Sequence, residues 1–136
     1  VYAVITGVGV ATGGAVDALA PDPAAYASAL MRACGDAVTD PASVEYLEAA
    51  GTGSPVDDRP EAEAVAALLI AQQDRATPLA VGAVRGQVGQ VGAAGGAAGL
   101  VKACLALYQN VLPPTAAADG PRRELAAVTT RCHWSP

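Results

Sequence analysis

Two glycine clusters, a neighbouring cysteine and histidine, and a run of acids are the places where this chain could do chemistry. Gly7-Val8-Gly9 with Gly13 follows an apolar stretch and invites a dinucleotide-binding reading. That fingerprint wants its third glycine one position earlier, a helix opening at once, and an acid about 20 residues on. Here Pro21 and Pro23 cut such a helix short, so tight backbone approach beside a strand is the favoured reading. The second cluster, Gly86 to Gly99, lacks the Lys-Ser or Lys-Thr pair that would open a phosphate-loop helix. Close packing of a helix on its neighbour explains it better.

His133 is the only histidine, and it adjoins Cys132. Adjacent residues on an extended strand face opposite ways, which disfavours a nucleophilic pair and leaves a partly exposed tail histidine. Asp57, Asp58 and Glu61 form an acidic run that a loop and a helix N-terminus explain without catalysis, since acids there offset the helix dipole. Asp17, Asp22, Asp36 and Asp40 read as solvated loop or cap residues. Cys34, Cys104 and Cys132 are odd in number and widely spaced, with no C-x-x-C. Neither a disulfide framework nor a zinc site follows from that spacing, so reduced thiols in a cytoplasmic protein are expected.

Composition limits the classes further. The 136 residues suit one domain or part of one. With 52% hydrophobic residues and only 15% charged ones, the chain is too apolar to be disordered. No apolar run approaches the roughly 18 residues of a membrane span, and the longest, Ala64 to Ala71, fits a buried helix. A net charge of −5 without a basic stripe speaks against nucleic-acid binding. Aromatics make up only 4%, with no Phe, so the small-residue core buries little area per residue and calls for more protein around it. Val1 to Val10 lacks the basic start of a signal peptide, and the absence of an initial Met suggests a piece of something longer.

The elements that must position these residues alternate. Val1 to Thr6 is β-branched and aromatic and predicts a strand buried on both faces. Asp22-Pro23 predicts a helix start, with Ala25, Ala29, Leu30 and Ala33 on one face and a stop at Gly35. Asp40-Pro41 opens a turn, and Val44 to Leu47 predicts a second strand. Asp58 and Glu61 have capping-box spacing for a helix running to about Gln73, with Val65, Leu68 and Leu69 inward. Pro78 to Val84 predicts a third strand, the glycine-rich stretch leads into a helix through Leu100, Cys104, Leu107 and Tyr108, and Leu125 to Thr130 predicts a last strand. The order is that of an α/β fold.

The motifs then converge. Val44-Glu45-Tyr46-Leu47-Glu48-Ala49-Ala50-Gly51-Thr52-Gly53-Ser54 resembles the β-ketoacyl synthase motif V-[DE]-Y-x-E-A-H-G-T-G-T. Asp57 to Ala62 is similar to that family's G-D-P-I-E-A, and Val81 to Gln90 to its V-G-S-V-K-S-N-I-G-H. Ala93 to Lys102 continues as A-A-A-G-x-A-G-L-I-K, and Leu112-Pro113-Pro114-Thr115 matches the exit from the following helix. Thr130 and Trp134 suit a T-E-x-R-P-W segment, and Val1 to Val10 resembles I-Y-A-V-I-x-G-x-x-V. The resemblance spans essentially the whole chain, in order.

It implies the C-terminal half of a thiolase-like fold, a mixed sheet with helices packed on it, over residues 1–136. The nucleophilic cysteine and the final strands would lie outside. Implied partners are the N-terminal half of the same fold, an active ketosynthase subunit or a second copy, and an acyl carrier protein; no cofactor or metal is implied. Two histidines of this half normally hold the developing oxyanion in the family. Those positions are Ala50 and Gln90, and the lysine of the second motif is Arg85, while the acid after the second histidine is Gly92. Alanine has no side-chain donor, and glutamine cannot become cationic or relay a proton at neutral pH. Losing one such donor typically costs about 10² to 10³ in rate. The resemblance therefore implies a degenerate, chain-length-factor-like domain of a polyketide or polyunsaturated fatty-acid synthase, with a substrate pocket at Ala50, Thr52, Ser54 and Gln90 and no catalytic residue of its own. Chain-length factors, the inactive partners of ketosynthases, often have Ala-Ala-Gly at this place and a run like Asp58 to Ala62. The alternative is a thiolase-fold acyltransferase or thioesterase-like enzyme with Cys104 or Cys132 as nucleophile.

Overall fold

A computed structural model of the chain describes residues 1–13, 22–72, 75–115, 123–126, 128, 130 and 132–134. Asp17 and Gln73 lie outside them. Helix α1 spans Pro23–Asp36, and Asp22 caps it as its sequence predicts: the carboxylate accepts from the Ala24 N–H at 2.9 Å, and proline fills the first turn. Asp40 repeats the device over a 3₁₀ turn at Pro41–Ser43, accepting from the Ala42 N–H. Strand β1 (Tyr46–Glu48) then enters α2 (Pro55–Ala71), which returns to β2 (Leu79–Gly82). β1 and β2 pair in parallel with Tyr46 opposite Ala80. Parallel neighbours cannot be joined by a tight turn, so α2 is the crossover that this pairing requires.

The second glycine-rich stretch breaks into pieces. Helix α3 covers Arg85–Val88, a 3₁₀ turn covers Gly92–Ala94, and α4 runs Gly95–Gln109 to a left-handed cap at Asn110. A short helix α5 (Arg123–Ala126) precedes β3 (Cys132–Trp134), which pairs in parallel with β2. The described sheet is thus three parallel strands in the order β1-β2-β3, with α2 packed against α1 and α5. β2 is buried along its whole length, as the central strand of a parallel sheet covered on both faces must be. Val65, Ala66 and Leu69 of α2 meet Leu79 and Val81 of β2 and, from the other end of the chain, Leu125 and Val128. The Arg75 guanidinium locks the loop after α2 against the entrance to β1, donating to the carbonyls of Pro41, Val44 and Thr77.

Four expectations need correction. Val1 to Thr6 makes no ladder bond with the three described strands; Tyr2 packs its ring on that of Tyr108 in α4, and the residues that follow, 7–13, seat on α1. The Val8 N–H donates to Asp36 at 2.9 Å, and Arg32 donates to the Val10 carbonyl at 2.6 Å. The β-branched side chains Val4, Ile5, Val8 and Val10 stay exposed, so here the strand-like pattern does not report burial within this chain. The described residues of the stretch expected as a last strand, Leu125 to Thr130, are not in a strand: Leu125 lies in α5, the Val128 N–H donates to the Leu125 carbonyl, and both side chains are buried. The last strand comes later, and it takes in Cys132 and His133, so His133 sits in a ladder beside Ala80 rather than in a tail. Finally, α2 is capped at Ser54, not Asp58, because Pro55 is already pre-organised for its first position.

The seating of residues 7–13 on α1 needs glycine for space. A β-carbon on Gly9 would stand 2.5 Å from the Ala33 nitrogen, and one on Gly7 2.6 Å from that of Ala37. Gly35, by contrast, has nothing within 4 Å. Gly9→Ala should therefore lift this segment and cost about 1–3 kcal/mol, with loss of amide-exchange protection at Val8. Gly35→Ala should leave both the protection and the thermal midpoint the same or slightly raised.

Candidate functional site

The acids of α2 turn out to face the loop that precedes them. Asp58 and Glu61 sit one turn apart inside the helix, so their carboxylates lie on the side from which the chain arrives. Glu61 accepts from the Ala50 N–H at 2.9 and 3.1 Å and from the Gly51 N–H at 3.5 Å. Asp58 accepts from the Thr52 N–H at 2.6 Å, the Thr52 hydroxyl at 2.7 Å and the Gly53 N–H at 3.0 Å. The Ser54 N–H donates to the Thr52 hydroxyl oxygen at 3.1 Å. The loop can wrap so closely because Gly51 and Gly53 have φ of 50° and 80°. Gly51 also has no room for a side chain, since a β-carbon there would stand 2.5 Å from that of Ala83. The dipole reading of these acids is thus too weak: two carboxylates satisfy four successive backbone donors.

Behind the loop, a third carboxylate joins three elements. Glu48, at the end of β1, accepts from the Tyr46 hydroxyl and from the Val84 N–H, and pairs with Lys102 of α4 at 3.0 Å. Lys102 lies 5.9 Å from the centre of the Tyr46 ring. Burial, and then the bond to the Glu48 carboxylate, hold the Tyr46 phenol well above its ordinary range. The approach of α4 depends on glycine again, because a β-carbon on Gly82 would meet Lys102 Nζ at 3.1 Å. No role for this cluster follows from the motif spacing alone. Its signal was Lys102, the single charged residue in the otherwise apolar α4.

Between these two supports lies an open cleft of 460 Å³. Ala49, Ala50 and Glu61 line one side, Val84 and Arg85 the next, and Gly95, Gly96, Gly99, Leu100 and Ala103 of α4 the last. Of the sequence-derived positions, Ala50 and Arg85 therefore come together. Gln90 is exposed on the segment between α3 and the 3₁₀ turn and is not among the cleft-lining residues. Thr52 and Ser54 lie half-buried in the loop and are not among them either. Cys104 is a half-buried free thiol on α4, likewise outside the lining; Cys132 is placed by its backbone in β3.

This geometry can be set beside known proteins. Residues 2–119 match the family model described as beta-ketoacyl synthase, C-terminal domain. The chain belongs to the β-ketoacyl synthase family. It is 35% identical over 126 residues to a highly reducing polyketide synthase of Aspergillus niger, covering 92% of this chain and 5% of that protein. The ketosynthase from module 1 of the bacillaene synthase of Bacillus amyloliquefaciens superposes with a TM-score of 0.87 at 25% identity, over 99% of this chain and 26% of that one. The ishigamide ketosynthase/chain length factor superposes with a TM-score of 0.78 at 24% identity, over 90% and 29%, a likeness of fold alone. The fold is the α/β, thiolase-like one of the ketosynthases. No described helix is long and apolar enough to cross a membrane.

Glu61 carries a pH signature of the ketosynthase loop. Burial raises its pKa most, the N–H groups of Ala50 and Gly51 oppose this, the Asp58 charge adds to the rise, and Arg85 opposes it; the net is upward from the ordinary 4.5. A raised carboxyl pKa means the folded chain binds the proton more tightly than the unfolded one. Its stabilising contribution is full below about 4.5 and is lost as pH rises through the elevated value. Glu61→Gln should flatten that falling limb in denaturation midpoints measured against pH. Asp58→Ala should lower stability by about 1–3 kcal/mol, because it strands the Thr52 and Gly53 donors. Asp58→Asn, keeping one acceptor oxygen, should recover part of the loss in the same denaturant titration.

Proposed function

We propose that this chain is the C-terminal half-domain of a ketosynthase-like unit in a polyketide synthase, one that no longer condenses but supports acyl-chain elongation by a partner ketosynthase. The cleft at position 50 carries this reading. Condensation builds negative charge on an oxygen, which needs preorganised donors aimed at it. Ala50 offers no side-chain donor, and the N–H groups from Ala50 to Gly53 are already engaged by Glu61 and Asp58. Glu48 and Glu61 also line the cleft, and as carboxylates they accept hydrogen bonds and offer such an oxygen no donor.

What the fold retains is wall. The glycine contacts of α4, the Glu48 cluster and the loop supports preserve the shape of a ketosynthase half, which suits a domain that bounds an acyl pocket while chemistry proceeds in its partner. The remaining contacts under this reading are the N-terminal half of the fold, which would bring the nucleophile position, the final strands that would follow Trp134, and an acyl carrier protein that delivers the chain. The setting is cytoplasmic, as for a synthase fed by soluble thioesters.

The native polypeptide carrying this chain, incubated with acyl and malonyl thioesters on carrier protein and with no partner ketosynthase, should give no ketoacyl product by mass spectrometry. Product should appear on adding the partner. Condensation in the partner's absence would overturn the reading. A covalent acyl adduct on Cys104 or Cys132 would instead favour an acyltransferase or thioesterase-like activity.

A further inference from the structure

Two departures from the ketosynthase pattern meet in space. The family motifs have lysine at position 85 and alanine at 95, where this chain has Arg85 and Gly95. A β-carbon on Gly95 would stand 2.8 Å from Arg85 Nη2, 3.0 Å from Nε and 3.3 Å from Cζ. The guanidinium therefore turns its Nε–Nη2 edge toward the backbone of α4, in the volume that an alanine methyl would fill. The backbone itself makes no demand for glycine at this place: Gly95 has φ −58° and ψ −43°, ordinary right-handed helix that alanine prefers. Glycine here serves space alone. The crowding is local, because a β-carbon on the next residue, Gly96, would meet nothing within 4 Å.

Both members of this pair line the cleft opposite Ala50 and Glu61. The long polar side chains that share the lining are held elsewhere, Glu48 by Tyr46, Val84 and Lys102, and Glu61 by the loop amides. Arg85 is set by its seat on Gly95. We infer that Arg85 and Gly95 form a matched pair that fixes the width of the cleft, and that Arg85 limits the size of the acyl group this wall admits. The acyl class of the occupant rests on the function proposed above; the pairing of the two residues does not. Lysine at 85 has a slimmer tip and would leave the wall wider. Alanine at 95 would push the guanidinium off its seat and into the cleft, narrowing it.

The test uses the native polypeptide with its elongating partner, malonyl thioester and carrier protein, and reads product chain lengths by mass spectrometry. Arg85→Lys should shift the products toward longer chains, changing the ratio of longer to parental product on the order of tenfold, as about one methylene of pocket is worth. Gly95→Ala should shift them toward shorter chains when Arg85 is present. The same change made on top of Arg85→Lys should have no such effect, since no guanidinium remains to be displaced. Unchanged lengths in Arg85→Lys, which adds no volume and so keeps the test valid if Gly95→Ala folds poorly, would overturn the inference. So would a Gly95→Ala effect of equal size with either residue at 85. Product formed with the partner omitted would defeat the loss of condensation only, and the same comparison of variants on that product would still decide the role of Arg85.

Discussion

The site depends on one constraint: a loop with four consecutive backbone donors must find acceptors before it can be packed under a helix. N–H groups left without partners as they are drawn out of water are expensive, and the donors of Ala50, Gly51 and Thr52 are half-buried. Asp58 and Glu61 answer this from the first turns of α2, so the helix that begins at Pro55 also organises the residues just upstream of it. Everything else in the cleft is referenced to this clasp. Ala50 is held by Glu61, the closeness of Gly51 to Ala83 ties the loop to the end of β2, and β2 in turn leads to Arg85.

A second layer of support works at right angles to the first. Glu48 draws β1, the start of α3 and the middle of α4 together through one carboxylate, and the opposite charge of Lys102 is what lets that carboxylate be buried. Such a pair adds little net stability compared with apolar packing, yet it fixes the depth at which α4 sits. The absence of side chains at Gly82, Gly95 and Gly99 makes that depth attainable. These three glycines act as spacers between elements, each matched to a particular large neighbour: Gly82 to Tyr46, Gly99 to Glu48, Gly95 to Arg85.

Much of this was legible in the residues. Proline after aspartate placed α1 and the 3₁₀ turn, because a fixed φ and a short acceptor side chain leave few other outcomes. The apolar run of α2 and the β-branched character around Val81 placed the crossover and the central strand. Other parts were not legible, for identifiable reasons. The β-branched start of the chain carries a strand's composition, but composition cannot name a ladder partner. Leu125 and Val128 fit a strand or a helical turn equally well until the position of α2 is known. The clasp itself was half visible, since the spacing of Asp58 and Glu61 is right for reaching backward, but a spacing rule does not say which amides lie within reach. Gln90 shows the limit of motif reasoning most plainly: its place in the family pattern is clear, whereas its seat relative to the cleft depends on glycine conformations at Gly89 and Gly92 that only coordinates reveal.

Lys102 is the only lysine in the sequence, and its side chain is just 10% exposed beneath Glu48. The folded chain therefore offers reagents directed at lysine side chains almost nothing to react with. Acylating dyes, lysine-specific proteases and enzymes that modify ε-amines would find no handle until α4 lifts from β1. Reactivity at this one nitrogen thus becomes a built-in reporter of whether the helix is seated.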